Sequence, residues 1–181
     1  LGDARPSPIS AMARKDQLLY VVTGGGYDVQ DRDGRLLEQP RTNRAQMLVV
    51  DISDPVRPQL IKRTVAGREE QFHLDTSLSP DGFRDAQVAG ADLFLAGGNV
   101  LYHFDLTLPA EPFRLPDTIL PGTVSAIAVD RGLVYASGDF GLVIYQIQPD
   151  RSLKALRTLS TASLGGALGQ LSVAARSLWA L

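Results

Sequence analysis

The sequence predicts an all-β fold: a β-propeller segment of four-stranded antiparallel blades, three of them complete and a fourth begun. Three observations predict it. The first is a twelve-residue window that occurs four times without gaps: "ISAMARKDQLLY" from Ile9, "FRDAQVAGADLF" from Phe83, "VSAIAVDRGLVY" from Val124 and "LGQLSVAARSLW" from Leu168. Each copy opens on an apolar residue, has Met12, Ala86, Ile127 or Leu171 fourth, and closes on an aromatic (Tyr20, Phe94, Tyr135, Trp179), although the chain holds only six Phe, five Tyr and one Trp. The second is a set of columns that follows three of these windows: "MLVVDISDP" from Met47, "LYHFDLTLP" from Leu101 and, one residue shorter before its Pro, "LVIYQIQP" from Leu142. The third is composition: short segments rich in Val, Ile, Leu and aromatics, set apart by Gly, Asp, Asn and Pro, are strand signals.

Taken in order, the first window supplies the first two strands of a blade spanning about 9–66, with an inserted loop over 24–46. Met47 to Asp51 forms the third strand, and Gln59 to Val65 the fourth. A linker, 67–82, leads to a second blade at about 83–121, whose outer stretch is Phe113 to Leu120. The third blade covers about 123–160 and ends on Leu153 to Leu159; the partial fourth covers about 168–181. Proline lacks a donor N–H, so Pro55, Pro109 and Pro149 belong at strand ends. Gly follows the aromatic within a few residues in three copies (Gly24, Gly97, Gly138). The last two aromatic anchors lie about 40 to 45 residues apart, the period of a four-stranded blade. The third strand of each unit is nearly continuously apolar, as expected where stacked sheets bury both faces. A β-sandwich could use the same strands but gives no reason for a four-strand repeat.

Composition narrows the function classes. The chain of 181 residues, 44% hydrophobic and 21% charged, is of single-domain size and ordinary globular character. A formal charge of -2 gives no electrostatic reason to expect nucleic acid as partner. No apolar run approaches the roughly 20 residues of a membrane-spanning helix. Zero Cys excludes disulfides, thiolate catalysis and Cys-ligated zinc. The chain starts at Leu1 without a basic-then-apolar leader and reads as trimmed or processed.

The stretches "LVVDISDPVRPQL" and "GLVIYQIQPD" resemble the LVIVD repeat, whose blades end in a Gly-Leu-hydrophobic-Asp-hydrophobic-Ser-Asp-Pro-x-x-Pro run. Met47 to Leu60 resemble it closely and Leu101 to Leu115 in part; Leu142 to Leu156 keep the strand but lose the Asp and the second Pro. The resemblance implies a β-propeller of a largely bacterial family, often exported or surface-associated, and hence an extracellular or cell-surface location. It assigns no biochemical role.

The candidate sites are few. The insertion "GGGYDVQDRDGRLLEQPRTNRAQ" is far longer than an ordinary strand connection, and such loops are either functional or mere excursions. Within it "DVQDRDG" invites a calcium reading, but Val29 and Pro40 stand where the first and last ligands would be, so Asp31, Asp33 and Gly34 read as a turn. "TGGG" (23–26) lacks the Lys-Ser/Thr of a phosphate loop. His103 shares a strand column with Val49 and Ile144 and is expected to pack at a blade interface. His73, near Glu69, Glu70 and Asp75, has no metal-site spacing. No Ser lies in a nucleophile elbow. Glu69 with Glu70, and Asp105 with Glu111, read as solvated charges.

Three function classes remain: a binding or adhesive module recognising a protein or glycan through its loops, a scaffold within a larger surface or secreted protein, and an enzyme with a site at the channel mouth. The positions beside the first strands (Ser10, Arg84, Asp85, Ser125, Gly169, Gln170) form a poor acid–base set. The expectation is therefore non-covalent recognition without cofactor or metal, with Tyr27, Arg35, Arg41 and Arg44 of the insertion as binding residues, because Tyr and Arg are favoured interface anchors. Propellers close with roughly 4 to 8 blades. The further expectation is that the chain is a piece of a longer one, or that another chain completes the ring.

Overall fold

The computed structural model describes residues 9–23, 45–65, 68–70, 72–73, 82–174 and 177–180. One plan is used three times. The first sheet is built from β1 (Ile9–Lys15), β2 (Leu18–Thr23), β3 (Gln46–Asp51) and β4 (Gln59–Ile61), followed by β5 (Arg63–Val65), β6 (Arg68–Glu70) and β7 (Phe72–His73). The second uses β8 (Phe83–Ala89), β9 (Asp92–Gly97), β10 (Val100–Asp105), β11 (Phe113–Arg114) and β12 (Thr118–Ile119). The third uses β13 (Val124–Asp130), β14 (Leu133–Gly138), β15 (Gly141–Ile147) and β16 (Leu153–Leu159). A short helix α1 (Thr161–Leu164) leads to the hairpin of β17 (Leu171–Ala174) and β18 (Ser177–Ala180). Strand order within each sheet is sequential and antiparallel, as in propeller blades. Among the described residues no helix is long and apolar enough to cross a membrane.

The repeat extends to fine geometry. Each first strand slips register after its opening residue, between Ile9 and Ala11, Phe83 and Asp85, and Val124 and Ala126. Each first hairpin closes on two residues whose leading member has positive φ: Asp16 (51°), Gly90 (59°) and Arg131 (49°). At the end of each third strand a backbone N–H donates to the second turn residue: Ile52 to Gln17 and Leu106 to Ala91, each just past its strand, and Ile147, the last residue of β15, to Gly132, at 2.7–2.8 Å. The aromatic column sits opposite Val49, His103 and Ile144.

The residues that close the first hairpins opposite the opening residue are Thr23, Gly97 and Gly138. Register pairs Ile9 with Thr23, Phe83 with Gly97 and Val124 with Gly138, so Thr23 is the counterpart of Gly97 and Gly138, and Gly24 lies outside the described residues.

The outer strands are where the copies diverge. In the third blade β16 is continuous apart from one register shift. In the second blade the stretch Phe113 to Leu120 is split: β11 pairs with Phe104 and Asp105, and β12 with Val100 and Leu101. Pro116 interrupts it, and Arg114 turns onto Asp117 with contacts of 2.5 and 3.2 Å. In the first blade β4 pairs with Val49 to Asp51 only, and β7 pairs with Gln46 and Met47. The stretch read as a linker, 67–82, therefore holds two strands: β6 pairs with β5, and β7 completes the edge of β3 that β4 leaves open. An unfinished edge offers free backbone donors and acceptors, and the nearest returning chain fills them. Interrupted outer strands also deny a long flat edge to foreign chains.

The core lies between blades, not inside them. Ala11, Ala13, Tyr20, Val22, Met47 and Val49 of the first sheet meet Phe83, Ala86, Leu93, Leu95, Tyr102 and Phe104 of the second in one buried cluster. Phe94, Ala96 and Leu101 then meet Val124, Ile127, Val134, Ala136, Val143 and Tyr145 of the third. The column positions are the same in both interfaces, so the middle blade has a covered leading face and a covered trailing face, which explains the two-sided burial of β10; in β3, Leu48 and Val50 are only half-buried.

Candidate functional site

Two ends of the blades differ in what they present. At one end lie the first hairpin turns and the connections from third to fourth strand; Thr23, the last described residue before the insertion, is at the opposite end.

The third-to-fourth turns are braced by their own side chains. Asp51 Oδ1 accepts the Ser53 N–H (2.8 Å), and Asp105 Oδ1 accepts the Thr107 N–H and hydroxyl (2.7 and 2.6 Å). Asp150 Oδ1 does the same with Ser152 (3.0 and 2.7 Å). These are Asx turns, in which a short carboxylate substitutes for a backbone acceptor. Donation to the ionised form lowers the pKa of all three, chiefly through Ser53, Thr107 and Ser152; Asp105 falls to about 2, with Arg151 assisting. A second bond closes each of the first two turns, from Arg57 to Asp54 O (3.0 Å) and from Glu111 to Leu108 O (2.9 Å). On these fixed loops Val56 and Leu108 stand 85% and 65% exposed.

Behind the turns, a polar cluster ties the second blade to the third. His103, 1% exposed, stacks on Phe94 (centroids 4.3 Å apart, 22° between planes), and its Nε2 donates to Asp92 (2.8 Å). Arg151, from the turn of the third blade, pairs with Asp105, approaches Asp92 (3.9 Å) and donates to the Thr107 hydroxyl (3.1 Å). Burial holds the His103 pKa below its ordinary value against the opposing pull of Asp92. The first blade is tied to the second by lighter means: the Tyr20 hydroxyl donates to Pro109 O (2.8 Å), and Lys15 to Leu106 O (3.3 Å). Burial, with help from Asp16, pushes the Tyr20 pKa up to about 12.

Along the inner strands, Asp85 has both carboxylate oxygens engaged, Oδ1 by the N–H of Ala86 (2.8 Å) and Oδ2 by that of Ile127 (2.9 Å). Burial raises its pKa against these bonds. Ser10 donates to Val22 O (3.2 Å), whereas Arg84, Ser125, Gly169 and Gln170 are exposed. The polar groups nearest to catalytic chemistry are thus occupied with backbone or with each other. His103 with Asp92 resembles a base and its orienting acid, but the ring is sealed under Phe94, and the pair works as a clamp.

Tyr27, Arg35, Arg41 and Arg44, like Asp31, Asp33 and Asp75, lie outside the described residues. His73 falls in β7, and Glu69 and Glu70 in β6. Glu111 lies in a turn, its N–H on Leu108 O. His103 packs at a blade interface, as its column suggests. Sequence reasoning passed over Asp92 and Arg151. Asp92 carried a signal: it stands where the other blades have Leu18 and Leu133, just as His103 stands where they have Val49 and Ile144.

No family model matches the chain, and no curated protein matches it. Solved structures do. The computationally designed Ika4 protein superposes with a TM-score of 0.60 at 12% identity, over 98% of this chain and 87% of that one. Sqt1 of Saccharomyces cerevisiae gives 0.56 at 12%, over 88% of this chain and 37% of that one. The computationally designed Ika8 protein gives 0.56 at 12%, over 98% of this chain and 44% of that one. At such identity the likeness carries the fold alone, and the chain's own geometry decides the rest.

Proposed function

We propose that the chain is a non-catalytic recognition module that binds a protein partner through the turns at the ends of its blades. The observation that carries the reading is the pair of exposed aliphatic tips, Val56 and Leu108, on Asx-braced turns of adjacent blades. Apolar side chains held in water on rigid loops gain contact area on binding with little ordering cost. Aliphatic tips suit a protein surface; a glycan would call for an exposed aromatic platform and polar groups beside it. The engagement of Asp85, His103 and Asp92 with structural partners supports recognition over acid–base chemistry. A surface or secreted setting fits the LVIVD-like runs and belongs to the same proposal.

The test is a cross-linking capture of partners on the intact chain, followed by affinity measurements with Val56→Asp, Leu108→Asp and Tyr27→Ala/Arg41→Ala variants, and a glycan array alongside. Loss of about tenfold or more in affinity from the turn variants supports this reading. Loss from the Tyr27/Arg41 variant alone would move the site to the insertion, and binding on the array alone would replace protein by glycan.

A further inference from the structure

The leading face of the first blade repeats, position for position, a surface that the fold covers twice. In the second blade that face is Phe83, Ala86, Leu93, Leu95, Tyr102 and Phe104, all in the cluster shared with the first. In the third, the matching positions all lie in the cluster shared with the second. The matching positions of the first blade are Ile9, Met12, Leu19, Val21, Leu48 and Val50, every one apolar. Ile9 and Met12 are 58% and 53% exposed, where their counterparts Phe83, Ala86, Val124 and Ile127 are buried.

The complementary surface is at the other end of the chain. In both covered interfaces the trailing face contributes the aromatic column, Tyr20 and then Phe94. The hairpin of β17 and β18 keeps the same register: Ser172 lies opposite Trp179 as Ala13 lies opposite Tyr20, Gln87 opposite Phe94 and Ala128 opposite Tyr135. Trp179 is therefore the trailing-face aromatic of that hairpin, and it is 64% exposed. One molecule thus carries the leading face of an interface that it makes twice internally and, on its two-stranded terminal hairpin, the aromatic anchor of the trailing face. Ile9 and Met12 on one half and Trp179 on the other are large apolar side chains left in water at interface positions, a mark of an association surface.

We propose that two copies of this chain associate head to tail, the Trp179 face of one on the Ile9–Met12 face of the other. The contact is heterologous: the two surfaces differ, so a closed pair uses each surface once per copy. Tyr20 and Phe94 are the internal precedents for Trp179, and Ala86 and Ile127 for Met12. This assembly is independent of the partner reading above, because it uses sheet faces and leaves the Val56 and Leu108 turns free.

The experiment is sedimentation and light scattering on the 181-residue chain and on two variants, Met12→Glu and Trp179→Glu. Both sites are exposed, so neither charge enters the core, and circular dichroism with a denaturant titration checks that each variant folds. The expected result is self-association of the parent, and loss of it by about tenfold or more in each variant. Mixing the two variants then gives a one-to-one complex held by one of the two contacts, weaker than the parent's but tighter than either variant with itself, because each retains the surface that the other lacks. A monomeric parent would overturn the proposal, as would variants that associate like the parent, or folded variants that fail to complement each other.

Discussion

The Asp85 carboxylate accepts the backbone N–H of Ile127 across the blade interface, at 2.9 Å, while its other oxygen takes the N–H of Ala86, the matching position in its own blade. One side chain thus serves the same column twice, beside the register slip of two inner strands. Asp85→Ala leaves both N–H groups to find other partners beside a core in which Ile127 is fully buried. The expected cost is about 1–3 kcal/mol in a denaturant titration, with Asp85→Asn falling between the two because it keeps one acceptor. A change within experimental error for Asp85→Ala would mean that water replaces the carboxylate.

Tyr20 joins the first two blades by ring and hydroxyl together, the ring in the buried cluster and the hydroxyl on Pro109 O. Tyr20→Phe keeps the packing and removes the donor, so unfolding free energy drops by about 1 kcal/mol. Tyr20→Ala also opens a cavity and costs about 3–5 kcal/mol. The ratio of the two losses measures how much of the blade contact is apolar.

Gly138 turns the third blade where the backbone of Thr123 passes close by. A Cβ there would lie 2.0 Å from Thr123 O and 2.8 Å from the Phe140 ring. Gly138→Ala should destabilise by about 1–3 kcal/mol, because backbone has to move to admit the methyl. Gly132→Ala, at a positive φ of 77° but with nothing near its Cβ, separates conformational strain from crowding; Gly138→Ala should cost more.

The blade plan was legible because it rests on strand periodicity, which each copy states again: apolar columns, a closing aromatic, prolines at strand ends. The Asp of the "DISDP" run was legible as a repeat, and the structure gives its reason, an Asx turn on Ser53. What the columns could not convey was pairing between strands distant in sequence. The β7 strand completes the edge of β3 because β4 stops at Ile61, and that depends on where a loop returns. The candidate site was less legible still. Exposure of Val56 and Leu108 follows from turn geometry, and the role of Arg151 from its reach across a blade interface to Asp105. Neither is a property of a local sequence pattern.

The clamp around His103 should make the fold acid-sensitive through two groups whose effects begin at different pH. Burial holds the His103 pKa below 6.5 in the folded chain, with Asp92 and Asp105 pulling it up and Arg151 pushing it down. The unfolded chain therefore takes up a proton first. This contribution to stability is intact above about 6.5 and is lost as the pH falls from there toward the folded value. Asp105 acts lower: its folded pKa is about 2 against an ordinary 3.8, so its contribution is present above about 4 and is lost as the pH falls toward 2. Denaturant midpoints measured from pH 8 to pH 3 should show a decline that begins near pH 6.5 and an added one that begins near pH 4. The double variant His103→Val/Asp92→Leu copies the residues that the first blade carries at those positions, Val49 and Leu18. It should abolish the upper decline and leave the lower one, since Asp105 keeps Thr107 and Arg151. Its stability at pH 8 should equal or exceed that of the parent, because replacing a buried polar pair by packed aliphatics is often neutral or favourable. His73→Gln, the chain's other histidine, is the control. If that variant instead removes the upper decline, the titrating group is His73 and the clamp is silent.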